Sequence, residues 1–172
     1  MRRALYFGTW PVLCIEARKM KKQVPRQSAK EAAVGYLSRR DHAEKELRQK
    51  LKTRGYSEPD VIDAIAYCQD YNWLDDARYA AMMMRNGVAK GWGALRIKQE
   101  MKMKGVHDAI VSQALEDGDI DWYEHARDVA QRKFGNSEID TPKEKARRFR
   151  FMQYRGFDFD QIKYALDTND DE

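Results

Sequence analysis

Cysteine and histidine are scarce: among 172 residues there are only two of the first, Cys14 and Cys68, and three of the second, His42, His107 and His125. Two cysteines build no disulfide framework, and neither residue type falls at metal-ligand spacing, so no metal or other cofactor is expected. The same usage suits a reducing, cytoplasmic compartment. Long apolar runs are also missing, and none nears the roughly 20 residues of a membrane span. With 10 glycines, 4 prolines, 35% charged and 42% hydrophobic residues, the chain is neither collagen-like nor disordered over most of its length. Strict apolar alternation is absent, which argues against a sheet.

Catalytic patterns are missing as well. Gly91-Trp92-Gly93 is a lone GxG without the third glycine or preceding strand of a phosphate loop, and reads as a tight lead-in to a helix. Asp75-Asp76 resembles a metal-binding carboxylate pair, but an apolar helix follows it, so a helix N-cap with a favourable dipole explains it better. Asp119 and Asp121 stand equivalently before a later helix. No Ser/His/Asp or Cys/His arrangement has local support, and no enzyme is expected.

What the chain does contain is a repeat. Arg54-Gly55-Tyr56, Lys104-Gly105-Val106 and Arg155-Gly156-Phe157 each read basic, glycine, apolar, at spacings of 50 and 51 residues. The flanks agree: Leu51, Met101 and Met152 precede the glycines, and Val61, Val111 and Ile162, then Ala64, Ala114 and Ala165, then Ile65, Leu115 and Leu166 follow at matching offsets. Each glycine marks a helix stop, because a left-handed residue past a helix end suits glycine alone without steric penalty. The preceding Arg or Lys complements the helix dipole.

Helix starts appear at Ser28 with Glu31, Asp41 with Glu44, Ser57 with Asp60, and Thr141 with Glu144, while Pro59 and Pro142 suit first-turn positions. Together with 3.6-residue periodicity these predict helices near 29–39, 42–54, 58–70, 75–86, 93–104, 108–117, 121–134, 142–155 and 158–167. The expected fold is all-α: an elongated tandem array of three three-helix repeats, over residues 28–73, 74–118 and 119–168, with an acidic tail at 169–172. Helices this short are unstable alone and must share apolar faces. The first core should use Ala33, Tyr36, Leu37, Leu47, Leu51, Tyr56, Val61, Ile62 and Ile65; the second Leu74, Tyr79, Ala80, Met83, Ile97, Met101, Val106, Val111 and Leu115; the third Trp122, Ala126, Val129, Ala130, Phe149, Met152, Phe157, Ile162 and Leu166. Core packing is preferred over base stacking for Tyr36, Tyr56, Tyr79, Phe149, Phe151, Tyr154 and Phe157, while Trp10 and Trp92 are less readily placed.

Residues 1–27 begin with Met1-Arg2-Arg3 and a short apolar run, but Glu16-Ala17-Arg18-Lys19 offers no small-residue cleavage site, so they are expected to form a flexible basic extension.

Net charge is only +4, yet it alternates in blocks: +10 over 1–56, −5 over 57–81, +5 over 82–107, −6 over 108–128, +5 over 129–155 and −5 over 156–172. Each basic block contains the middle helix of a trio. The candidate binding residues are therefore Arg39, Arg40, Lys45, Arg48, Lys52 and Arg54, then Lys90, Arg96, Lys98, Lys102 and Lys104, then Lys143, Arg147, Arg148, Arg150 and Arg155. Solvated helix faces would explain any one set; recurrence of the same polarity in all three trios favours an extended surface for phosphates. A stand-alone DNA-binding protein is the alternative, because three-helix modules with a basic helix resemble homeodomain-like readers. Against it, few Asn or Gln lie among the cations to read adenine.

Three segments carry a resemblance. Trp73-Leu74-Asp75-Asp76-Ala77-Arg78-Tyr79-Ala80, the glycine-led Lys90 to Gly105 segment ending in Lys-Gly, and Arg39-Arg40-Asp41-His42-Ala43-Glu44-Lys45-Glu46-Leu47-Arg48 are similar to signatures of the RecX regulatory proteins, modulators of the recombinase RecA. Departures are mild: Trp73 stands where Tyr is usual, and Met101 where Leu is usual. The resemblance covers about residues 28 to 168. It implies a monomeric, three-repeat, non-enzymatic protein that lies in the groove of the RecA filament on single-stranded DNA and restrains ATP hydrolysis and strand exchange. It also adds Arg78, inside the first signature, to the candidate DNA- or filament-binding residues.

Overall fold

The computed structural model describes residues 27–135, 137 and 141–167. Among these residues there are nine helices and no strand: α1 Ala29–Leu37, α2 Glu44–Thr53, α3 Glu58–Asp70, α4 Asp76–Ala89, α5 Ala94–Lys104, α6 Asp108–Asp117, α7 Trp122–Phe134, α8 Pro142–Arg155 and α9 Phe159–Asp167. They form three trios, α1–α3, α4–α6 and α7–α9, and in each the first and third helices lie against one another with the middle helix beside them. The expected N-terminal extension up to residue 26 and the acidic tail lie outside the described residues.

The repeated sequence positions are the repeated core. Leu51, Met101 and Met152 are fully buried at the ends of the middle helices, and Val61, Val111 and Ile162 face them from the third helices. Three separate clusters result. Burying each large aliphatic side chain contributes roughly 1.5–3 kcal/mol, which offsets the instability of helices this short. Gly55, Gly105 and Gly156 all adopt positive φ, at 92°, 85° and 89°, which ends each middle helix where the sequence places a stop.

Several starts also follow the sequence. Ser28 and Glu31 form a reciprocal capping box, and the Ser57 and Thr141 hydroxyls accept from the Asp60 and Glu144 amides. Asp75 and Asp121 cap α4 and α7. Asp119 does not cap; it takes positive φ in the turn before Asp121.

The expected start at Asp41 is corrected. Ala43 is the N-cap of α2 and its methyl offers no acceptor; the Asp41 carboxylate is engaged by Arg78, and the Glu44 amide donates to Asp76 instead. His42 consequently sits before the helix rather than in its first turn, buried beside Tyr36. α4 runs one turn past its expected end.

The cores differ at named positions. Ile62 is 51% exposed, while Ala64 and Cys68 on the other side of α3 are buried. Leu74 belongs to the first core rather than the second, closing over it from the α3–α4 connection. Met84 is the buried member of its methionine triplet, with Met82 and Met83 half-buried. Trp122 packs on the second core, not the third, so the opening of the third trio covers the end of the second. Tyr154 is 74% exposed and belongs to no core.

Candidate nucleic-acid interface

The candidate cations fall into three groups. The first joins trios. Arg78, at the start of α4, donates to Asp41 Oδ1 at 3.1 Å and to the carbonyls of Asn72 and Trp73. Lys104 approaches Glu46 Oε2 at 4.0 Å, and the stem of Lys45 lies on Gly105, where any side chain would collide with it. Arg155 donates to the Lys90 carbonyl at 2.5 Å. Arg96 donates to the Tyr154 carbonyl and lies over the rings of Trp92, at 4.5 Å, and Tyr154, at 4.9 Å.

The second group is neutralised within a trio. Arg40 pairs with Glu46 at 2.5 Å, Arg48 with Glu44 at 2.8 Å, Lys52 with Glu58 at 2.7 Å, Lys102 with Asp108 at 2.8 Å and Arg147 with Glu144 at 2.7 Å. Lys52 and Lys102 share a register, and so do their partners, so the first two repeats use the same ion pair to tie the middle helix to the third. Such exposed pairs exchange readily for phosphate because each holds by less than about 1 kcal/mol. Arg54 and Lys90 lie over the rings of Tyr36 and Trp92. Arg148 is a correction: it was expected on the presented face but is 6% exposed, with its guanidinium on Glu144 and Ser137. A buried, paired arginine serves α8 and not a ligand.

The third group is uncommitted. The side chains of Arg39, Lys98, Lys143 and Arg150 have no hydrogen bond or ion pair among the described residues. Each repeat supplies at least one of them, and the third supplies two. Arg39 and Arg40 precede α2 and Lys90 precedes α5, so the basic surface includes the turns before the middle helices as well as the helices themselves.

Burial and charge in the joints shift the titration of neighbouring groups. Burial alone would raise the Glu46 carboxyl, but the Arg40 hydrogen bond and the charges of Arg40 and Lys104 outweigh it and hold it below the usual range. Burial raises the carboxyl of Asp76, helped by Glu44 and Asp75 and opposed by the Glu44 amide that donates to it. Burial also lowers His42, with Arg40 and Lys50 adding to the effect, and lowers His125.

An open cleft of about 800 Å³ lies between α5 and the α8–α9 corner. Its rim carries Leu95, Met103, Tyr154 and Phe159, all more than half exposed. The cleft is not expected from the sequence. One signal was available: Tyr154 follows Arg150 by four residues, which places both on the exposed face of α8. No helix among the described residues is long and apolar enough to cross a membrane, and no group of His, Cys, Asp or Glu among them could hold a metal ion.

Comparison with known proteins gives three consecutive family matches: RecX first three-helix domain over residues 29–68, second over 75–115 and third over 119–166. The regulatory protein RecX of Vibrio campbellii is 48% identical over 152 residues, covering 88% of this chain and 98% of the relative. That of Haemophilus influenzae is 38% identical, covering 81% and 93%. The crystal structure of RecX from Lactobacillus salivarius superposes with a TM-score of 0.68 at 21% identity, covering 83% of this chain and 94% of that one, a likeness of fold. Matched in all three repeats and along nearly the full length of its relatives, the chain belongs to the RecX family of regulatory proteins.

Proposed function

We propose that this chain regulates the RecA recombinase by lying in the groove of its filament on single-stranded DNA and slowing ATP hydrolysis, strand exchange and filament growth. It acts as a monomer, without cofactor and without catalysis of its own, in the cytoplasm. Basic turns and middle helices face DNA phosphates, and the acidic blocks between them face protein. The observation that carries this reading is the recurrence of an uncommitted cation, Arg39, Lys98 and Arg150, in each of three linked repeats. A periodic basic array suits a periodic filament, and weak contacts in three modules gain strength by acting together.

The test is ATP hydrolysis by RecA assembled on single-stranded DNA at near-physiological salt, with this protein titrated below one molecule per recombinase. Inhibition at such ratios that free DNA competes away only poorly supports the reading. Absence of inhibition, or inhibition explained by DNA sequestration alone, favours a stand-alone DNA-binding protein instead.

A further inference from the structure

The third repeat breaks a pattern that the first two share. At the end of the middle helix they carry Lys52 and Lys102, each paired with a carboxylate in the first turn of the next helix, Glu58 or Asp108. In the third repeat the same register holds Gln153 and Phe159, so both charges of the pair are gone. Phe159 is 65% exposed at the start of α9, and the adjacent Tyr154 is more exposed still. The third core closes with Phe157 and Ile162; Tyr154 belongs to no core, and Phe159 meets only the ring of Phe149, at 5.6 Å on the edge of that core.

The two rings line one cleft with Arg96 and Gln99 of α5. Arg96 lies against Tyr154 and fixes that side of the cleft. Lys98 and Lys102 flank Leu95 and Met103 on the adjoining surface of α5, and Arg150 stands one turn before Tyr154. The carboxylates in the lining are Glu100 and Asp158, and Asp158 is occupied in accepting from the Gln161 amide. Exposed rings bordered by cations match the two faces of a nucleotide, a π-surface for the base and positive charge for the phosphate. The other exposed rings pair with a neighbouring ring, Tyr71 with Trp73 at 5.1 Å and Tyr123 with Tyr164 at 5.5 Å, whereas Tyr154 meets no other aromatic ring among the described residues.

We propose that the cleft between α5 and the α8–α9 corner is a base-stacking site for single-stranded nucleic acid, with unpaired bases on Tyr154 and Phe159 and the flanking phosphates on Lys98, Lys102 and Arg150. This rests on the reading that the basic face meets phosphates and adds a contact with the bases.

The test compares two probes on the full chain: a labelled 20-nucleotide oligothymidylate and a phosphodiester strand of equal length made of abasic units, with binding followed by fluorescence anisotropy. The wild-type protein should bind the thymidylate about tenfold more tightly. Tyr154→Ala and Phe159→Ala should each remove most of that preference while leaving affinity for the abasic strand and its salt slope unchanged. Tyr154→Trp should retain the preference. Tyr154→Ala is expected to melt as the wild type does; Phe159→Ala gives up the contact with Phe149 and is expected to melt slightly lower but with the same cooperativity, which confirms an intact fold. Equal wild-type affinity for the two probes, with a full salt slope, overturns the stacking site and leaves the phosphate reading standing. Absence of binding to either probe removes both. If the cleft instead takes a protein helix, Tyr154→Ala will bind both strands as the wild type does, and that also overturns the proposal.

Discussion

The two joints between repeats occupy matching places and are built from different chemistry. Between the first and second repeats the contacts are made by side chains: Asp76 accepts from the Glu44 amide at 2.9 Å, Arg78 reaches Asp41, and Glu46 draws in Arg40 and Lys104. Between the second and third, backbone meets backbone directly, Gly93 donating to the Arg155 carbonyl at 2.9 Å and Leu95 to the Gly156 carbonyl at 3.1 Å, and the Arg155 and Arg96 side chains add bonds to the Lys90 and Tyr154 carbonyls. His125 adds a contact to the Trp92 carbonyl. The residue that decides this is the N-cap of the middle helix, Ala43 in one case and Gly93 in the other. The Ala43 methyl fills a space in the second core; a Cβ at Gly93 would overlap the Gly156 carbonyl. One repeat geometry thus admits a joint built on ion pairs and a joint built on bonds to backbone carbonyls.

The largest effect is expected where the second joint is broken. Gly93→Ala forces two backbones apart and should lose about 2–4 kcal/mol in a denaturant titration. Ala43→Gly, the opposite exchange at the first joint, removes one buried methyl and should lose only about 1 kcal/mol. Similar losses at both positions would erase the distinction between the joints.

Next in size is Asp76. Replacement by alanine leaves the Glu44 amide without its acceptor in a half-buried setting and should lose about 1–2 kcal/mol. Asp76→Asn keeps an acceptor and removes a carboxylate that burial already disfavours, so its loss should stay below about 0.5 kcal/mol. Equal losses for the two variants in thermal melts would show that the charge of Asp76 matters more than its hydrogen bond.

Arg78→Met should lose about 1 kcal/mol at low salt and less at 1 M salt, because the Asp41 pair is half-exposed and screened. The Gly93→Ala loss should be the same at both salt concentrations. A salt-independent Arg78→Met would make its two carbonyl contacts, rather than the ion pair, the basis of the first joint.

The smallest effect is that of pH. His42 and His125 are both held below their ordinary value of about 6.5, chiefly by burial, so the unfolded chain takes up protons first as pH falls. Stability should therefore decline between about pH 7 and pH 5, before the lowered carboxyl of Glu46 contributes to any loss. Asp76 works in the opposite sense, since its raised carboxyl favours the folded chain once protonated. His42→Gln and His125→Gln should each flatten part of the decline in melting temperature, and a decline untouched by both would place its origin elsewhere.

Much of this architecture is legible in the sequence, and the reasons are local. A glycine that ends a helix, a hydroxyl that caps one and a 3.6-residue apolar period act over a few residues, so the nine helices and the three cores can be read directly. The joints cannot be read in that way. Asp41 has the look of an N-cap, and only the arrival of Arg78 from 37 residues away takes its carboxylate elsewhere. Leu74 and Trp122 sit at repeat boundaries, where a pattern of periodicity does not tell which neighbouring core receives a side chain. The cations themselves can be read off, but their division cannot: Arg148 is internal, Arg96 and Arg155 hold the second joint, and Arg39, Lys98, Lys143 and Arg150 have no hydrogen bond or ion pair among the described residues. Tyr154 is hidden by the general rule that aromatics at helical spacing go inward, and nothing local singles out Phe159.

This division selects the decisive variants. Reversing Arg96 would disturb the joint along with any contact to DNA, whereas Arg39→Glu, Lys98→Glu and Arg150→Glu change one uncommitted charge in each repeat. The most direct measurement is inhibition of RecA ATP hydrolysis on single-stranded DNA by these three single variants beside the wild-type protein. If the repeats act as one array, each reversal raises the concentration needed for half-inhibition by a comparable factor, about three- to tenfold. Undiminished inhibition by all three, or a loss confined to one repeat, would contradict an array that meets the filament through all of its modules.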